Sequence, residues 1–238
     1  MNSIRSISLA TISAVFLACA APGTKPHDMS AAQHEAMAKN EDAAASEHAG
    51  QHDPSATKET TTCGTRMGGC WTSVSNPTAQ HADDAKRHRE LAQKHRAAST
   101  ALTDAEARAC AGLPEDDRDI SPFYHREDIQ SVSPFSQTVR AGKASVQKEV
   151  GVTVVFRAVP GLTAEWLQRV MDCHLARAAA VGHAMPEMPY CPLVPNGAKT
   201  KVTSTGNGFA VAVFADDAAT VAEIKKRADA LKGGAAAP

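Results

Sequence analysis

The sequence predicts an α+β protein. Long N-terminal helices, hairpin-like in arrangement, precede a small two-layer α/β sandwich with a mixed or antiparallel sheet. Three observations carry this expectation. Residues 31–51 and 78–111 are rich in alanine and charged residues, and the second stretch repeats histidine, alanine and leucine in a 3-4-3-4 pattern. After residue 130 the pattern changes to period two, most clearly over Val150–Val159. Aromatic residues make up only 4% of the 238 residues, so a well-packed core is expected in part of the chain rather than throughout. The net charge of −1 gives no global attraction to nucleic acid.

The chain opens on an address. Arg5 and the amino terminus form a short positive region, and Ile7 to Leu17 is apolar and uncharged. That run is shorter than the ~20 residues a membrane-spanning helix needs and fits a secretory signal. It ends Val15-Phe16-Leu17-Ala18-Cys19. A small residue before a cysteine after an apolar run resembles the lipobox of bacterial lipoproteins, although Phe16 stands where leucine is usual. The resemblance covers this N-terminus alone. It implies a signal peptide over residues 1–18, a diacylglyceryl chain on the Cys19 sulfur, and further acylation such as palmitate. Because Ala20 rather than aspartate follows the cysteine, it also implies retention at the outer membrane, facing the periplasm. Ordinary cleavage at the Ala18-Cys19-Ala20 pattern remains the alternative, giving a soluble periplasmic or secreted protein.

Residues 19–130 are expected to be a helical region with a long Cys/Gly/Thr loop and a polar connector. Ser30-x-x-Gln33 has the form of a capping box, and Pro54 stops the helix that follows. Residues 53–77 read as loop from their threonine, glycine and serine content. Within them Cys63 and Cys70 flank three glycines, so an intraloop disulfide is expected in an oxidising compartment. Asn76-Pro77-Thr78 starts the second helix, and Gly112 and Pro114 end it. His81, His88 and His95 recur every seventh residue, two turns or ~10 Å apart. Two of them cannot share one metal on their own helix; a site would need ligands from a partner helix. The two helices also offer a surface for a homodimer or another protein partner.

Residues 131–232 are expected to form the α+β unit, with residues 233–238 a disordered tail. Val152, Val154 and Phe156 share one strand face. Thr163 caps a helix that Gly182 ends; Gly206-Asn207-Gly208 turns a hairpin; Asp216 or Asp217 caps the last helix.

The richest stretch for ligand chemistry is Met171–Pro192, with two cysteines, two histidines and three methionines. Cys173 and Cys191 are expected to pair, pinning a proline-rich loop to the helix and leaving Cys110 unpaired. His183, Met185 and Met188, with His174, offer imidazole and thioether donors suited to copper. Free thiolates at Cys173 and Cys191 with both histidines would instead suit zinc. No nucleophile motif, phosphate loop or His-Glu-x-x-His pattern occurs. The reading is therefore a non-enzymatic envelope lipoprotein acting as a binding or structural module. The alternative is a periplasmic protein handling copper or another soft metal.

Overall fold

The computed structural model describes residues 23–64, 68–142 and 144–232. The expected signal peptide over residues 1–18, the expected lipidation site Cys19 and the expected tail 233–238 lie outside them. Helix α1 (Ala31–Gln51) starts on the expected capping box: the Ser30 hydroxyl accepts from Gln33 N–H and the Gln33 side chain accepts from Ser30 N–H. Two otherwise unpaired N–H groups are thereby satisfied. Helix α2 (Ala79–Ala109) returns alongside α1 as the second arm of a hairpin. Alanines fill the seam: Ala38, Ala45, Ala85, Ala92 and Ala98 are all 3% exposed or less. Small side chains at a contact let two helix axes come close.

The segment between the helices is not loop. It folds as strands β1 (Lys58–Cys63) and β2 (Cys70–Ser75), an antiparallel hairpin with Cys63 bonded to Cys70. The cysteines pair as the glycines between them predict, whereas the strands depart from the loop expected over residues 53–77. Every residue of both strands is exposed, so no apolar alternation marked them. The threonine tract Thr60-Thr61-Thr62 was the available signal, since β-branched residues favour strands.

The connector forms a short helix α3 (Glu115–Asp119) and two single 3-10 turns. Strands β3 (Ile129–Ala141) and β4 (Ala144–Arg157) follow, then helix α4 (Ala164–Ala180), strands β5 (Lys199–Thr205) and β6 (Gly208–Phe214), and helix α5 (Ala218–Asp229). The sheet order is β3-β4-β6-β5, antiparallel throughout. Val152, Val154 and Phe156 of β4 and Val211 and Val213 of β6 pack with Leu167 and Met171 of α4 and Ile224 and Ala228 of α5. This is the expected α+β sandwich, with both helices on one sheet face. Thr163 and Asp217 cap α4 and α5 through hydrogen bonds to the third residue beyond.

The hairpin stands on the sandwich through α2 and α4. Leu102 packs against Ala179 and Ala180, and Gly182, just past the end of α4, abuts Ser30. At the C-terminal end of α2, Cys110 is bonded to Cys173 of α4. This corrects two expectations: Cys173 does not pair with Cys191, and Cys110 is not the unpaired thiol. The reason is helical phase. Met171 faces the main core, and Cys173, about 200° further round at 100° per residue, faces Leu113 and Val170 on the side that α2 reaches. Cys191 lies in the main core instead, where its sulfur accepts from the Ser121 hydroxyl and burial pushes its pKa up. No helix among the described residues is long and apolar enough to cross a membrane.

Candidate metal centre in the helical hairpin

The hairpin seam carries polar layers at regular intervals. His34, Glu41 and His48 are seven apart on α1; His81, His88 and His95 are seven apart on α2. The two sets meet in opposite order: His34 against His95, Glu41 against His88, His48 against His81. Alanine layers separate them. Antiparallel packing of two seven-residue repeats dictates this, because a position on one helix keeps one partner on the other.

Each layer has its own chemistry. His34 Nδ1 lies 3.0 Å from His95 Nδ1. His34 Nε2–H faces the Lys25 and Pro26 carbonyls, which can only accept, so in neutral His34 the proton sits there. His34 Nδ1 is then the acceptor and His95 Nδ1–H the donor. Burial of His95, with the His34 ring beside it, lowers its pKa. In the middle layer, His88 Nδ1–H donates to Glu41 Oε2 at 2.6 Å. At the end nearest β1 and β2, His48 Nδ1 lies 3.2 Å from His81 Nδ1, and the His88 ring stacks parallel on His48 at 5.4 Å between centroids.

The last layer gathers a third donor. Asp84 follows His81 by three residues, one turn along the same face of α2. One donor atom each of His48, His81 and Asp84 lies within 4.8 Å of the other two, and all three side chains are half-buried. Two zinc-bound nitrogens at 2.0–2.1 Å in tetrahedral geometry stand about 3.3 Å apart, close to the 3.2 Å between the two ring nitrogens. Arg87 pairs with one Asp84 oxygen at 2.9 Å but is itself largely exposed, so it can yield to an ion. The set is two imidazoles and a carboxylate, a borderline-hard donor set that suits Zn2+, Cu2+ or Ni2+ better than Cu+.

The residues singled out in Met171–Pro192 have other engagements. His174 Nε2–H donates to the carbonyls of Asp117 and Ile120, and burial lowers its pKa. His183 Nδ1–H donates to the Val194 carbonyl at 2.7 Å, and burial lowers its pKa too. Met185 is part of the main core and Met188 packs against it. The copper set is thus spread over a helix, a turn and the core, and the zinc set loses Cys173 to its disulfide. His34 and His48 belong to a histidine- and methionine-rich tract that could gather copper, but its spacing shows no tight cluster, so sequence reasoning favoured a solvated helix there. The signal was their shared seven-residue spacing with Glu41, matched on α2. Searches against protein-family models, curated proteins and solved structures find nothing that matches this chain.

Proposed function

We propose that the chain is a non-enzymatic, lipid-anchored protein of the cell envelope whose helical hairpin takes up one divalent transition-metal ion, of the Zn2+ or Cu2+ class, at His48, His81 and Asp84. The observation that carries the metal half is the convergence of these three donors from two helices within 4.8 Å. The envelope half rests on the lipobox-like sequence ending at Cys19. Two disulfides support it, because such bonds persist in oxidising compartments. Binding would clamp the far end of the hairpin and order the β1–β2 arm beside it.

The test is titration of the mature protein with Zn2+ against a chromophoric chelator. One ion per chain with a dissociation constant of micromolar or below is expected, together with a rise in Tm. At a hundredfold excess over that constant, binding stabilises by about 2.7 kcal/mol. His81→Ala should weaken it by more than the ~10–100-fold usual for losing an outer-shell partner. Absence of saturable binding below about 100 μM would sink the metal half. Acyl-chain mass on the N-terminal peptide, and its loss in Cys19→Ala, checks the anchor.

A second reading is structural. The His34–His95 and Glu41–His88 pairs satisfy each other within the seam. Such polar layers fix the register of a helix pair at some cost in stability. A hairpin that binds no metal, yet loses its defined register when His34 and His95 are both replaced by leucine, would favour this reading.

A further inference from the structure

The segment joining the hairpin to the sheet is clamped onto α4, and a cavity of about 220 Å3 lies where they meet. The clamp is held by the Cys110–Cys173 bond, the two carbonyls bound by His174, the Arg177–Asp119 pair, and Arg177 to the Arg118 carbonyl at 3.1 Å. Phe156, Val159, Leu162 and Leu167 give the cavity an apolar floor. The Trp166 indole forms one wall. It is fixed by its Nε1–H donating to Asp117 Oδ2 at 3.1 Å, with the Arg169 guanidinium over the ring at 5.2 Å.

The polar lining is acidic. Asp116, Asp117 and Asp128 line the cavity with His125, and no lysine or arginine does. Two of the carboxylates are already engaged: Asp117 with the indole, Asp128 with Arg157 at 2.6 Å. Among the described residues the Asp116 side chain makes no hydrogen bond or ion pair. An unneutralised carboxylate beside an apolar floor attracts a cation. The volume is below the 300–1,000 Å3 of drug-sized pockets, which restricts the occupant to a compact molecule.

We infer that this cavity is a binding site for a small organic amine, with a primary ammonium at Asp116 and a compact apolar body on the floor beside Trp166. His174 and the Cys110–Cys173 bond act as positioning elements, because they hold the chain that carries Asp116 and Asp117. The site is separate from the hairpin histidines and does not depend on metal binding.

Trp166 supplies the readout, with Trp71, the other tryptophan, replaced by phenylalanine. Phenethylamine, 2-phenylethanol and hydrocinnamate are titrated against that protein at neutral pH and low salt. Saturable quenching or shift of Trp166 emission by phenethylamine is expected, at least tenfold tighter than by the neutral alcohol and with none by the acid. Asp116→Asn, a change at an exposed position, should bring amine and alcohol to within about twofold of one another without moving Tm. Equal binding of all three compounds, no saturable binding at millimolar concentration, or preference for the amine unchanged in Asp116→Asn would each overturn the inference.

Discussion

His34 and His95 show how much one pair of side chains constrains. Each ring needs a partner because both are almost fully buried, His34 at 0% and His95 at 4% exposure. The neutral pair satisfies both Nδ1 atoms with one proton; charging both rings removes the acceptor and sets two cations 3.0 Å apart. The consequence for stability has a definite sign. Burial, then His34, depress the His95 pKa below its ordinary 6.5, and burial depresses those of His174 and His183 likewise. The unfolded chain therefore binds more protons than the folded one. Stability is full above the unfolded value and is lost as pH falls through it toward the folded values. Urea unfolding should show a folding free energy that declines from about pH 7 to pH 5, more steeply than in a His34→Gln/His95→Gln variant. A flat profile would show that the seam tolerates the charge. Gly151 constrains by space instead. A Cβ there would stand 2.0 Å from the Val213 carbonyl oxygen, with Phe135 and Phe214 packed ring to ring at 5.5 Å on the strands either side. Gly151→Ala should cost about 3 kcal/mol, measured as a drop in the denaturant midpoint.

Among the elements, the α1–α2 hairpin depends on small residues more than on apolar ones. Its buried positions are alanine, histidine and serine, with Leu102 the large side chain at the foot. Ala38 is wholly buried between the helices, so Ala38→Leu should force them apart at a cost of about 1–3 kcal/mol. The same change should weaken metal uptake nearly three turns away, because His48 and His81 would no longer meet. Unchanged metal affinity would show that the ion draws the helices together by itself. The β1–β2 arm has the opposite problem, with no buried face at all. Isolated two-stranded hairpins are marginal in water, and here the Cys63–Cys70 bond closes the free end. Trp71 and Val74 stand out from it, 59% and 63% exposed.

At the scale of the whole molecule, the Cys110–Cys173 bond joins hairpin to sandwich across 63 residues of sequence. Loop-closure entropy assigns it about 4 kcal/mol. Cys110→Ser should lower the unfolding free energy by about that amount, and mass mapping of the oxidised protein should find Cys173 linked to Cys110 rather than Cys191. A Cys173–Cys191 peptide in that map would reverse the assignment. The local features were open to reading because their causes are local. The Ser30 capping box, the Thr163 and Asp217 caps, the alternation through Val152, Val154 and Phe156, and the chain reversal at Gly206 and Asn207 each depend on residues within a few positions of one another. They predicted the α+β class, the two hairpin helices and the helices and strands of the sandwich, but not β1, β2 or α3. What tertiary structure alone decided was pairing across distance: Cys110 with Cys173, His48 with His81 and Asp84, the 113–120 segment with α4. Spacing of seven on each helix states that the two sets of histidines could meet. Only the direction and register of packing, set by buried alanines and the foot at Leu102, state which ring faces which.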